Sequence, residues 1–308
     1  MFGFFKKNKK QKPDWSPFDS VEVHDEFESS VSEYFKSKNI EHQIIDGIVN
    51  IPNNDFGLNE LGLLNIAQYC KNEGQKKFNE HISGHFETLI RGYEFSKYFD
   101  SIKVDYNKVK QYIGVRLYNQ SNIEQVGLEK TIGKSLGANI YAMLIYDLPD
   151  TVTSVPPREA EIWNISKEEL WDRALENTHT NYPPNILNRE LQGISFKTVE
   201  EDHFFSPNIV FNLSEYPELI GAKGSLISMP TRHIVIIYPI YDLKVLNALN
   251  TQIQVTNGVS SKGPGTLSNG LFWYFNGELK EQLTKIEDGN LVFKPTDDFV
   301  SMLNQMKQ

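Results

Sequence analysis

The sequence predicts an α+β fold, with a helical N-terminal third followed by a mixed, largely antiparallel sheet region with interspersed helices. Three observations carry the prediction. Apolar residues recur at helical spacing through most of the first 108 residues. Beyond them, strand-sized apolar runs are punctuated by tight-turn residues. The β-α-β rhythm of a doubly wound sheet is not sustained.

Residues 1–16 read as a separate basic tail, with Lys6, Lys7, Lys9, Lys10 and Lys12 behind the aromatic tip Met1–Phe5 and ahead of Pro13. The region 17–108 reads as mainly helical with one hairpin. A helix fits Asp25–Ser37, where Phe27, Val31, Tyr34 and Phe35 share a face. Asp46-Gly47 between two apolar runs marks a hairpin, because both turn positions need positive φ. Helices over Leu58–Asn72 and Gln75–Tyr98 follow, broken at Gly74, with Asp100–Asp105 as a connector.

The region 109–308 reads as α+β. Tyr112–Tyr118 is a strand, and Ala138–Leu148 is apolar almost throughout, as a central strand is. A helix to about Thr178 begins with strong punctuation: Ile165, Ser166, Glu169 and Leu170 form a capping box and a hydrophobic staple. Ser225–Met229 and His233–Tyr238 are strands about Pro230. A short helix spans Leu243–Asn250, and Asn257–Gly265 is a loop. Leu271–Phe275, Glu278–Ile286 and Leu291–Lys294 form a meander turned at Asn276-Gly277 and Asp288-Gly289. Asp297–Met306 is an amphipathic helix expected to cover outward rings of Phe272–Phe275.

Composition narrows the function. The 308 residues are 39% hydrophobic and 23% charged, which is globular rather than disordered. Net charge is −9 despite the lysine tail, so the body is acidic, which argues against a nucleic-acid partner. Cys70 is the one cysteine, so neither an intrachain disulfide nor a cysteine metal site can form. A reducing, cytoplasmic setting fits. Met1–Phe5 is far shorter than a signal-peptide core, and no apolar run reaches membrane-spanning length. The tail reads most simply as a solvated terminus. Its alternative role is weak peripheral contact with an anionic inner membrane face.

No catalytic motif survives inspection. His81 and His85 stand one helical turn apart, but Ile82 occupies the position where a zinc protease has Glu. Gly258–Gly265 fails as a phosphate loop, because Pro264 follows Gly263 where Lys-[Ser/Thr] is required. Neither a dinucleotide-binding glycine motif nor a serine nucleophile elbow is present. Asp147 and Asp150 flank a strand end, where a carboxylate could act as a base, yet Glu159-Ala-Glu161 lacks the lysine of a nuclease site. Arg232-His233 at a strand junction offers a cation and an imidazole to an anion. No cofactor or metal is expected.

The residues Ile140–Asp150, with the Asp-Leu step at Asp147, then Ile165–Leu170 and Ala174–Asn177, resemble the YtpQ-like family of bacterial proteins, a domain-of-unknown-function family. Gly224–Ile236, with Pro230 and Arg232, is similar to that family's strand–Pro turn–strand, and Leu271–Leu279 to its late hairpin. Many family members carry Asp where this chain has His233. The resemblance marks Asp147, Asn177 and Arg232, with the neighbouring His233, as binding candidates and supplies no catalytic residue. Two functions follow as expectations. The first is a non-enzymatic binding or regulatory protein of the bacterial cytoplasm, acting on a protein partner or at the inner membrane face. The second is an enzyme, such as a hydrolase, with a site assembled from these dispersed residues.

Overall fold

The computed structural model describes residues 11–52, 57, 59–261, 265–287 and 290–307, with the backbone alone for 284–287 and 290–292. Most of the basic tail and the Asp288-Gly289 turn lie outside the described residues. The fold is α+β, as the sequence predicts. It divides into two compact units, one reaching to Ile102 and including Leu148–Thr151, the other formed by Lys103–Asp147 and Val152–Gln308.

In the first unit, α1 (Val21–Ser37) starts at Ser20, whose hydroxyl accepts the Val23 N–H at 3.3 Å. Strands β1 (Gln43–Ile45), β2 (Ile48–Asn50) and β3 (Glu60–Gly62) form an antiparallel sheet. Asp46 (φ 46°) and Gly47 (φ 75°) make the predicted turn. Helices α2 (Leu64–Glu73) and α3 (Phe78–Ile102) complete the unit. Phe27, Phe35, Phe78, Ile82 and Phe86 meet in its core. Cys70 is fully buried, and burial pushes its thiol up to about 11, which leaves it unreactive.

Two expectations are corrected here. The helix predicted from Leu58 begins only at Leu64, because Glu60–Gly62 pairs with β2 and sends Leu61 inward opposite Val49. Sheet pairing overrides local helix preference at this point. The connector predicted from Asp100 is helical through Ile102.

The second unit runs through α4 (Tyr106–Val109), β4 (Ile113–Asn119), α5 (Gln120–Val126), β5 (Gly133–Gly137), β6 (Ile140–Leu148), β7 (Thr151–Ser154), α6 (Pro157–Trp163) and α7 (Lys167–Asn181). It continues with β8 (Ile186–Leu191), β9 (Ile194–Glu200), β10 (Ser225–Thr231), β11 (Ile234–Pro239), α8 (Val245–Ser260), β12 (Leu271–Phe275), β13 (Glu278–Glu287), β14 (Asn290–Lys294) and α9 (Asp297–Gln305). One sheet has seven strands in the order β14-β13-β12-β10-β11-β9-β8; the other has four, with β6 between β4 and β5 and also paired to β7. The pairings with described register are all antiparallel.

The N-cap half of the predicted capping box forms at Ser166, its hydroxyl accepting the Glu169 N–H at 3.1 Å. The stretch Asn257–Gly265, expected as a loop, is helical up to Ser260. Val245, Ala248, Leu249, Gln252, Ile253, Thr256 and Ser260 keep one face buried across Gly258, and that burial outweighs the local cost of a helical glycine. The hairpin β8–β9 was not among the expected strands; its turn places Gln192 and Gly193 at φ 52° and 76°. The rings of β12 are covered. Trp273 stacks on Phe275 at 5.1 Å and receives Phe299 of α9 edge-on at 5.4 Å.

Strand β4 lies at a sheet edge, and side chains rather than a neighbouring strand satisfy its outer backbone. Val115 N–H donates to Thr178 Oγ1 at 3.0 Å, and Asn208 Nδ2 donates to the Val115 carbonyl at 2.5 Å. Asn177 Nδ2 donates to the carbonyls of Ile113 (2.8 Å) and Lys110 (2.7 Å). This fastens α7 to β4. Removing both bonds in Asn177→Ala is expected to cost about 1–3 kcal/mol, read as a lower urea midpoint with unchanged slope. A wild-type midpoint would show that water replaces the amide without loss.

Candidate functional site

The centre of interest lies within the second unit, where β4, the segment after β9 and the β10–β11 junction converge. Arg116 stands in the middle of β4, a strand with no other charged residue, and is only 8% exposed. Its Nε is buried and has no hydrogen-bond partner among the described residues. Its guanidinium carbon lies 4.7 Å from the ring centre of Phe204 and 4.9 Å from that of Tyr118. Arg232 packs on the same Phe204 ring at 4.0 Å. The two guanidinium carbons are therefore no farther apart than the sum of their distances to that ring.

Stacking engages guanidinium faces and leaves in-plane N–H donors for oxygen ligands. Arg91, Arg173 and Arg189 each reach a carboxylate, at 3.3, 2.5 and 2.7 Å. Among the described residues, neither Arg116 nor Arg232 has such an ion pair. Two like charges thus share one partly buried neighbourhood. The Arg232 guanidinium is pulled below its usual range, first by burial and then by Arg116, while Tyr118 acts in the opposite sense. Burial raises the Tyr118 phenol, and the two arginines oppose that rise.

The backbone holds Arg232 in place. Its N–H donates to the Gly265 carbonyl at 3.0 Å, and a Cβ on Gly265 (φ +75°) would lie 2.4 Å from Arg232 Nε. His233 contributes through one tautomer. With Nδ1–H donating to the Glu201 carbonyl at 3.2 Å, Nε2 is left to accept Arg232 Nε–H at 3.4 Å. Phe204 meets the His233 ring edge-on at 5.1 Å.

Asp147, near the end of β6, borders this neighbourhood. Tyr182 donates its hydroxyl to Asp147 Oδ2 at 2.5 Å. Burial raises the Asp147 carboxyl above its ordinary value, against the opposing pull of Tyr182, Arg116 and His203. Tyr182 lies against His203 (4.8 Å) and Phe205 (4.1 Å). His203 Nδ1 accepts the Phe205 N–H at 3.2 Å, so its neutral ring carries the proton on Nε2; burial lowers its pKa. Tyr182 and His203 also line a narrow crevice shared with Asn208, whose Oδ1 is buried without a partner among the described residues.

The raised Asp147 carboxyl has a thermodynamic consequence. The folded chain holds this proton above the pH at which the unfolded chain releases it, so stability falls as pH rises from the ordinary aspartate range through the folded value. Asp147→Asn keeps an acceptor for Tyr182 and is expected to remove that part of the fall. Parallel stability profiles of the two proteins across pH 3–8 would contradict it.

Of the four residues the sequence singled out, Asp147, Arg232 and His233 belong to this neighbourhood. Arg116 links Asp147 and Arg232 through its charge. Asn177 does not belong, because its amide is committed to the β4 backbone. Asp150 pairs with Arg91 within the first unit. His81 and His85 line one groove with Tyr69, and among the described residues no three metal-ligating side chains come together. Among the described residues no helix is long and apolar enough to cross a membrane. Sequence reasoning missed Arg116, Tyr118, Tyr182, His203 and Phe204. The available signal was a lone charge inside an apolar strand. Compared with models of known families, with curated proteins and with solved structures, the chain matches none.

Proposed function

We propose that the protein is a non-enzymatic binding protein of the bacterial cytoplasm whose second unit captures an oxyanion with Arg116 and Arg232. The observation that carries this reading is the pairing of two guanidinium groups on one phenyl ring, neither of them in an ion pair with a carboxylate among the described residues. A buried arginine with an unused Nε–H is costly to the fold unless an anion arrives to compensate it. Arginine is also the side chain suited to bidentate recognition of carboxylate and phosphate oxygens. The sequence resemblance to the YtpQ-like family includes Arg232 within its strand–Pro turn–strand, and that membership is part of the proposal.

The hydrolase alternative has less support. Asn177 is engaged elsewhere, and Asp147, Arg232 and His233 do not line the crevice that Tyr182 and His203 border. A direct test is thermal unfolding in sulfate against chloride at matched ionic strength. Sulfate also stabilises proteins generally, so Arg116→Gln/Arg232→Gln is the control. Near a hundredfold excess over Kd, binding contributes about 2.7 kcal/mol, a rise in Tm of about 5–10 °C for a domain of this size. The double variant is expected to lose that rise. An equal rise in both proteins defeats the proposal.

A further inference from the structure

We infer that the oxyanion held by Arg116 and Arg232 is a phosphate monoester in its dianionic form. The inference rests on the anion-binding reading of the same site and specifies its ligand. Its first support is charge. Two guanidinium groups lie against one ring without a paired carboxylate among the described residues, and one of them is almost wholly withdrawn from water. A monocarboxylate would neutralise one and leave the other uncompensated in surroundings that screen poorly. A phosphate monoester brings close to two negative charges at neutral pH and three acceptor oxygens.

The second support is the donor set. Among the described residues Arg116 Nε–H has no partner, and both guanidinium groups lie against the Phe204 ring, so the N–H groups not already bonded to Tyr118 or His233 are the donors left for oxygen. Tyr118 presents a hydroxyl beside both cations. Arg232 Nε–H is already directed to His233, so its terminal nitrogens are the groups available. Arg116 is more deeply buried than Arg232, so a compact phosphoryl group has to enter from the Arg232 side.

The surrounding titratable groups set the pH behaviour. They are Asp147 on β6, Tyr118 on β4, Tyr182 after α7, Glu201 and His203 after β9, and His233 beside Arg232. The ligand's second proton, with a pKa near 6, leaves as pH rises and strengthens binding. Asp147 acts oppositely, since its ionisation beside Arg116 competes with the incoming anion. Sulfate remains dianionic throughout and reports the protein's groups alone.

The experiment is calorimetric titration of the full chain with methyl phosphate, sulfate and acetate between pH 5 and pH 8, with Arg116→Gln and Arg232→Gln as variants. Methyl phosphate is expected to bind at least about tenfold more tightly than acetate at pH 7.5. Its affinity relative to sulfate should rise about tenfold from pH 5 to pH 7.5 as the second proton leaves. Both variants are expected to abolish the preference. Arg232→Gln, at the more accessible position, carries the test if Arg116→Gln does not fold. Acetate binding as tightly as methyl phosphate, and lost in the variants, overturns the phosphate inference and leaves the anion site standing. No binding by any of the three probes, or binding indifferent to both substitutions, overturns the anion site itself. A phosphoserine peptide binding at least about tenfold more tightly than methyl phosphate, and lost in the variants, supports the inference with a protein segment as the source. Equal affinity supports it with a free ester as the source.

Discussion

Arg116→Met is expected to raise the stability of the second unit by about 1–3 kcal/mol while eliminating oxyanion binding. Methionine follows the course of the arginine stem and fills most of its space. It removes a charge withdrawn from water whose Nε lacks a partner among the described residues. Against this stands the loss of contacts with Phe204 and Tyr118, each worth about 0.5–2 kcal/mol. Thioether–aromatic contacts recover part of that loss. Urea unfolding measures the balance, and titration with sulfate measures the function. A substitution that destabilises the unit while sulfate still binds would make Arg116 a packing residue. Opposite signs for stability and binding are what a site maintained at a cost to the fold produces.

Phe299→Ala is expected to have the largest effect on stability, a loss of about 3–5 kcal/mol. Phe299 is 1% exposed and meets Trp273 at 5.4 Å and Phe293 at 6.1 Å. Its backbone N–H also bonds to Thr296 Oγ1, the cap of α9, at 3.4 Å. The truncation leaves a cavity at the junction of helix and sheet, and the short helix cannot hold itself in water. Tryptophan emission should shift to the red as Trp273 gains solvent, together with a lower urea midpoint. A loss under about 1 kcal/mol with unchanged emission would show that α9 contributes little.

Local punctuation carried much of the fold into view. Asp46-Gly47, Ser166 with Glu169, and Asn276-Gly277 act within a few residues, so their turns and caps are legible in one sequence. The strand β3 was not legible, because three residues paired to β2 hold too little apolar pattern of their own, whereas β9 carried an alternation at Ile194 and Phe196 that the reading missed together with its partner β8. The site divides in the same way. Arg232 and His233 are adjacent and visible together. Arg116 and Phe204 are brought against Arg232 only by tertiary folding. Asn177 looked like a ligand-binding amide because sequence cannot show that two carbonyls already occupy it.

The sealing of β4 bears on how copies of this chain meet one another. Strand addition requires the free N–H and C=O of alternate residues, and at Val115 both are taken by Thr178 and Asn208, while Asn177 takes the carbonyl of Ile113. A second chain finds no template along this part of the strand, and sheet growth from molecule to molecule is blocked where three polar side chains occupy the ladder positions. Thr178 and Asn177 of α7, with Asn208 from the segment after β9, therefore act as a guard against polymerisation along this part of the strand.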